Sequence, residues 1–521
     1  MRRELTKYLR LPTMSRMETG AVLSRRPAVV GGLLLILMLL TGLGWAVSSP
    51  VESSPDDNYH LGSIWCPRPA GESCQTSVVD GDPVVRVPIA VADESMRCYV
   101  LQSNKSAGCA LGYDDSHMVW SKRFDNGAYP IGYYHFHHLL VGKDVQTSVL
   151  VMRGVNVLIA VTLLGTIGFC APRQLRRPFI GAIVASWVPM GIYFIASNNP
   201  SSWAVSGLMA YSAATFMAPQ QNGRRRIALV ICAVIGAVMC LTSRYDAAFF
   251  LLVVGLALLF AVPWKRGGWI GLSALAGVAL LGFGTFMASS QVSKVAYFLR
   301  VFEASDPAQS ADKQPFFEKL LVGLETAPKY LGGFWGHTWT PGWHDVPLGA
   351  RAPYVLTIMA AGAFVAVGLR RGGWRKWTAL AIIVGSMVLL PALFYANGAM
   401  DTIELYQARY IFPLLAPTFF LMLAVDQDEG AWFTVPQAVW VTVFISLCQT
   451  ITLHTLLLRF VQGAQERWEL DLNKHIEWWW SAPVSPMMVW FLTTCFATAA
   501  LGTAIAMLTR TAEKYEAPQE P

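Results

Sequence analysis

Apolar stretches recur along this chain from Val29 to Met507, with arginine clusters or turn residues between them. Each runs about 17 to 25 residues, the length an α-helix needs to cross a hydrocarbon core. The pattern predicts about twelve spans: Val29–Val47, Thr147–Cys170, Phe179–Ser197, Trp203–Ala218, Ile227–Thr242, Ala247–Val262, Trp269–Ala288, Pro353–Leu369, Trp377–Ala396, Tyr410–Val425, Val435–Leu458 and Pro486–Leu508. The expected fold class is an all-α polytopic membrane protein. The basic segment before Val29 resembles the start of a signal peptide, but the apolar run is long for one and Ala46–Ser49 is a weak cleavage site, so the first span is expected to be retained.

Composition agrees, with 54% hydrophobic and only 14% charged residues against roughly 25% charged in soluble domains. The net charge of +7 does not point to nucleic acid, because the clustered basic residues sit in short loops between spans. Those loops hold Arg173, Arg176 and Arg177, then Arg224–Arg226, Lys265 and Arg266, and Arg370, Arg371, Arg375 and Lys376. An excess of Lys and Arg marks cytoplasmic loops. With Arg2, Arg3, Lys7, Arg10, Arg16, Arg25 and Arg26 before the first span, both termini are expected in the cytoplasm and the protein in the plasma membrane. The acidic stretch Asp426–Glu429 is the exception among the inner loops, though acidic residues count for little in this rule.

This topology divides the chain into a cytoplasmic segment 1–28, a first span 29–47, an extracytoplasmic loop 48–146, spans 147–288, an extracytoplasmic loop 289–352, spans 353–508 and a cytoplasmic tail 509–521. Substrate-handling groups are expected in the long outer segments, to which Arg459–Ser485 also belongs. Within the second, Val292–Tyr330 mixes charges with apolar residues and predicts amphipathic helices on the membrane surface. Cys66, Cys74, Cys98 and Cys109 all fall in the first outer loop. They suggest two disulfides, of which Cys66–Cys74 with Cys98–Cys109 is the local pairing among three connectivities.

Several features there carry candidate chemistry. Ser54-Pro55-Asp56-Asp57-Asn58-Tyr59-His60 places two carboxylates just beyond the first span, suited to taking a proton from an acceptor hydroxyl or to capping a helix that starts near Tyr59. Tyr129–His138 is an aromatic segment in which Tyr133, Tyr134 and His135 are candidate substrate contacts. Its His-x-His-His cluster offers a possible divalent-metal site, although consecutive helical positions diverge, and no metal ligand is assigned. Arg244 and Arg409, at the outer ends of spans, suit a lipid phosphate, or else pairing with Asp246 and ordinary headgroups respectively. Arg153 is a lesser candidate of the same kind. Trp335 and Trp339 offer faces for sugar stacking, while Trp468 and Trp478–Trp480 fit an interfacial belt. The sequence has no phosphate-binding glycine loop, no His-Glu-x-x-His and no Gly-x-Ser-x-Gly.

The carboxylate pair after the first span, the large first outer loop and the many further spans resemble the GT-C superfamily of membrane glycosyltransferases. Within it the chain resembles domain-of-unknown-function family twenty-one forty-two. That family's Pro-Pro-Asp-Glu-x-x-His pattern corresponds to Ser54–His60, and Pro-Pro-x-Tyr-Tyr to Tyr129–Tyr134. Asn199-Pro200 matches an Asn-Pro between spans, and Gln-Gly-Arg-Tyr-x-x-Pro corresponds to Gln407–Pro413. Departures are Ser54 for Pro, Asp57 for Glu, an inserted Ile131 and Ala408 for Gly.

The resemblance implies an inverting transfer of a sugar, arabinofuranose or mannose, from a polyprenyl-phosphate donor to an envelope glycan or glycolipid. Asp56 would act as base with Asp57 assisting, and Arg409, Arg244 and His60 would hold the donor phosphate. A divalent cation is a possible cofactor by the same resemblance. Two other classes fit the sequence: a transporter or flippase of a lipid-linked precursor, and a scaffold using its outer loops for contact.

Overall fold

The computed structural model describes residues 27–92, 98–264, 268–289, 315–348, 352–398, 400, 402–403, 406–426, 432–464 and 469–509. The N-terminal arginines up to Arg26, Lys265 and Arg266, the acidic stretch after Asp426, Trp468, the first part of Val292–Tyr330 and the tail from 510 lie outside the described residues.

The chain is mostly helical, and every apolar run predicted to span is largely helical. Seven of these helices are long and apolar enough to cross a membrane: Ala28–Ala46, Val145–Cys170, Gly223–Ser243, Trp269–Met287, Trp374–Ala396, Val435–Val461 and Pro486–Thr509. Seven is the count among the described residues, by length and composition alone. Tyr245–Ala261, Ala352–Gly368 and Phe412–Ala424 are apolar but shorter. Ser201–Met217 has 17 residues, all buried except Thr215, so its apolar circumference reflects an interior position. At 1.5 Å per residue such a helix is only about 26 Å long. The Phe179–Ser197 run is divided into Arg176–Ser186 and Met190–Ile195. Pro189, which has no N–H to give, stands at the break.

Glycines let the central helices approach closely. A side-chain carbon on Gly236 would lie 2.5 Å from the Gly207 carbonyl oxygen, and one on Gly42 would strike Val157. Small residues at such crossings are how helices pack where solvent exclusion gives no drive.

Between the first two long helices lies a small unit that the apolar pattern did not reveal. Strands Thr76–Val79, Asp82–Pro88 and Met118–Ser121 form an antiparallel sheet in sequence order, with Val79 opposite Asp82 and Val85 opposite Ser121. Asp80 and Gly81 both have positive φ, 54° and 84°, the conformation a tight two-residue hairpin requires. Disulfides Cys66–Cys74 and Cys98–Cys109 staple this unit, which settles the connectivity on the local pairing.

Arg459 fastens this unit to the bundle. Completely buried, it donates to the Tyr99 carbonyl at 2.6 Å, to the Lys105 carbonyl at 2.5 Å and to Asp345 Oδ2 at 2.6 Å. One side chain thus joins the segment after the first helix, the segment before Ala352 and the end of Val435–Val461.

Candidate functional site

The first helix ends at Ala46, and the chain then makes an irregular passage to the helix Asp57–Trp65. Buried Arg153, from Val145–Cys170, fixes that passage. Its guanidinium donates to the carbonyls of Ala46 (3.1 Å), Ser49 (2.6 Å) and Pro50 (2.7 Å) and to Ser53 Oγ (3.3 Å). A planar five-donor fork suits several convergent carbonyls. Arg153 is therefore a brace for the carboxylate segment rather than an open phosphate ligand.

The two aspartates part company at once. Asp56 has φ 62°, the left-handed region an aspartate tolerates better than most residues. Asp57 is buried, and its carboxylate accepts from the Ser54 backbone N–H at 3.1 Å and from the Ser54 hydroxyl. It lies 4.0 Å from Arg153. The expectation that Asp57 assists directly is corrected: it is turned inward and shapes the turn. The Asp56 side chain, 35% exposed, faces the other way.

What Asp56 meets is Arg409, which lies 353 residues further on and whose Nη2 donates to Asp56 Oδ2 at 2.5 Å. Arg409 itself is buried, with Nη1 donating to the Pro55 carbonyl (3.1 Å) and Nε to Gln407 Oε1 (2.5 Å). Asn199 Nδ2 donates to the same Pro55 carbonyl at 2.9 Å, and Arg123 stands 3.8 Å from the other Asp56 oxygen. Asp56 makes no capping hydrogen bond to the helix that follows it. An ion pair to a distant segment replaces the simple cap.

The Tyr410 ring lies between two guanidinium groups, 5.0 Å from that of Arg409 and 5.6 Å from that of Arg244. Arg244 holds Asp246 through two bonds, 2.8 and 2.6 Å, so the expected alternative of local pairing occurs. It also donates to Ser201 Oγ at 3.3 Å and approaches the Tyr129 ring at 5.8 Å. His60 is buried with Nδ1 2.9 Å from the Tyr134 hydroxyl, while its Nε2 has no partner among the described residues. Its ring stands edge-on to Tyr129 at 5.2 Å.

Electrostatics follow this geometry. Burial alone would raise the Asp56 carboxyl, but the charges of Arg409 and Arg123 outweigh it and hold Asp56 below its ordinary range. Burial pushes Asp57 up to about 6, against the opposing pull of Arg153 and Ser54. Burial also drives His60 down to about 3, with the charges of Arg244, Arg409 and Arg123 adding and Asp56 opposing. At neutral pH the site therefore holds an ionised Asp56 and an uncharged His60 beside the guanidinium groups of Arg409, Arg244 and Arg123.

Other expected contacts lie elsewhere. Tyr133 and Tyr134 are buried, Tyr133 against His137 and Trp203, Tyr134 under His60. They correct the expectation of substrate-facing rings and form the floor behind His60. His135 is exposed and turns to the Arg68 carbonyl at 2.7 Å. His137 and His138 bond the carbonyls of Tyr133 and Ile64. No group of three or more His, Cys, Asp or Glu side chains placed to hold a metal ion lies among the described residues.

Trp339 is half-buried against His344, whose Nε2 reaches Gln407 Oε1 at 3.4 Å and so touches the Arg409 network. Trp335 packs beside Phe334. Sequence reasoning passed over Arg123, Gln407 and Asp125. Asp125 Oδ1 accepts from Tyr59 and from the Tyr129 N–H, both at 3.0 Å, and so sets the loop that carries Tyr129. Only Gln407 had a signal, as the first residue of the motif that contains Arg409.

A family model described as predicted membrane protein (DUF2142) matches residues 39–418, well over half of the chain and all of the site from Asp56 to Arg409. No curated protein and no solved structure matches the chain.

Proposed function

This chain belongs to the DUF2142 family of predicted membrane proteins, and we propose that it is a glycosyltransferase of the GT-C type that uses a polyprenyl-phosphate sugar. The 2.5 Å contact between Asp56 and Arg409 carries this reading. It sets a half-open carboxylate beside buried positive charge, the pairing that transfer from a glycosyl phosphate needs.

In this account Asp56 accepts the proton of the acceptor hydroxyl as that oxygen bonds to the anomeric carbon. The bond from that carbon to the phosphate oxygen breaks with its electron pair, and the configuration inverts. Arg409, with Arg244 behind Tyr410, neutralises the charge that grows on the departing phosphate. His60 Nε2, without a partner among the described residues and carrying its hydrogen, is a further donor to that phosphate. Asp57 and Arg153 hold the turn. Trp339, against His344, offers a stacking face.

The proposal includes a plasma-membrane location, about twelve spans when the short buried helices are counted with the long ones, cytoplasmic termini and a site on the extracytoplasmic face. The disulfide-stapled unit accords with an oxidising compartment. The acceptor would be an envelope glycan or glycolipid, and the sugar arabinofuranose or mannose. Purified chain incubated with labelled polyprenyl-phosphate arabinofuranose or mannose tests the reading. Label transferred to an envelope glycan is expected, and donor returned unchanged with every acceptor would overturn it.

A further inference from the structure

Away from the Asp56 site, a cavity of about 230 Å³ lies among the helices Pro27–Ala46, Val145–Cys170, Arg176–Ser186, Met190–Ile195, Val435–Val461 and Pro486–Thr509. Its lining runs from Gly31 to Gly42 along the first helix, about 16 Å at 1.5 Å per residue, roughly half the hydrocarbon thickness of a bilayer. The walls are almost wholly apolar, and Leu34, Leu35, Ile180 and Ile183 are only half-buried. A chain from surrounding lipid could therefore reach the cavity from the side.

One mouth is charged. Arg176 lines it, its Nε and Nη2 donating to the carbonyls of Ala171 (3.4 Å) and Phe169 (3.2 Å), which fixes the guanidinium at the end of Val145–Cys170. The charges of Arg173 and Arg225 both act on Arg176. Among the described residues no ion pair joins Arg173, Arg176 or Arg225 to a carboxylate. Arg225 also sits in the first turn of Gly223–Ser243, where the helix dipole is already positive. Repulsive charge gathered at the mouth of an apolar slot fits one occupant: an acyl chain inside, with its phosphate outside.

We propose that this cavity binds one anionic glycerophospholipid of the bilayer, with an acyl chain between the first two long helices and the phosphate held by Arg176. The site is separate from the Asp56–Arg409 centre and does not depend on the reaction proposed for it. Arginine suits the phosphate because its fork donates two parallel bonds while its charge persists.

Native mass spectrometry of the full chain tests this, with phosphatidylglycerol and phosphatidylcholine of identical acyl chains as probes. Two variants separate the parts. Arg176→Gln removes the headgroup contact. Gly168→Leu fills the slot, at a position where a side-chain carbon meets nothing closer than the Phe179 ring at 3.5 Å. One retained phosphatidylglycerol is expected, lost about tenfold in Arg176→Gln, equivalent to one charge-assisted contact, and lost about tenfold in Gly168→Leu by steric exclusion of the acyl chain, with unchanged circular dichroism in both. Equal retention of phosphatidylcholine, wild-type retention by Arg176→Gln, or loss in Arg176→Gln but not in Gly168→Leu would overturn the assignment. So would displacement of phosphatidylglycerol by an equal concentration of polyprenyl phosphate.

Discussion

Arg409 donates to the Asp56 carboxylate and to the carbonyl of Pro55, the residue before it, so one guanidinium reads both the side chain and the backbone of the turn. A lysine would keep the charge but lacks the fork. Arg409→Lys is therefore expected to weaken retention of a labelled polyprenyl phosphate by about tenfold or more, one to two lost charge-assisted bonds. Unchanged affinity would show that charge alone suffices and that the fork has no role.

His60 and Asp57 give the fold an opposed response to acid. His60 is held neutral down to about 3, whereas an unfolded histidine takes a proton near 6.5. The stability it contributes is thus present above pH 6.5 and lost as pH falls from there toward 3. Asp57, raised to about 6, works the other way: the folded form takes its proton first, and stability rises as pH falls from about 6 toward 3.8. Each proton is worth on the order of 1.4 kcal/mol per pH unit within its window. Thermal unfolding in detergent between pH 7 and 4.5 should show a shallower acid loss for His60→Gln than for wild type, and a steeper one for Asp57→Asn. Parallel curves for all three would remove the assignment.

Arg153 braces the same turn from behind. Arg153→Ala would leave the Asp57 carboxylate buried without its counter-charge and the carbonyls of Ala46, Ser49 and Pro50 without donors. Losing one partner of a buried ionic group costs about 3–5 kcal/mol. A clear fall in melting temperature is expected in the absence of any substrate, and a melt like wild type would contradict the bracing role.

Much of this was legible in the sequence, but not evenly. Apolar runs located the helices, because a run able to cross a bilayer is also a run that stays helical. They did not show which helices would be long enough to cross alone, since Ser201–Met217 is as apolar as its longer neighbours but has only 17 residues. Pro189, inside an expected span, did carry the signal for the break. The sheet over 76–121 was invisible to a search for long apolar runs, because its strands have only four to seven residues.

At the site, motif order brought Asp56 and Arg409 into one account. No local pattern told that a positive φ at Asp56 would send adjacent carboxylates to opposite sides. Nor did the sequence show that Tyr133 and Tyr134 would be packed under His60 and Trp203 rather than open to a ligand. Such placements depend on Arg153, Asn199 and Asp125 arriving from elsewhere in the chain.

The four cysteines before the second long helix are paired, and Cys170, Cys232, Cys240, Cys448 and Cys495 are free. Alkylation of the denatured, unreduced chain should modify five of its nine cysteines, and all nine after reduction. Nine modified without reduction would remove the staple that ties the small sheet unit together.

The central claim is that Asp56 is the base of a sugar transfer whose donor phosphate is held by Arg409. Asp56→Asn keeps the shape of the side chain and removes its basicity. Transfer of labelled sugar from a polyprenyl-phosphate donor should fall about 10²- to 10⁴-fold while the variant still retains the donor. Transfer at the wild-type rate by Asp56→Asn would contradict the account.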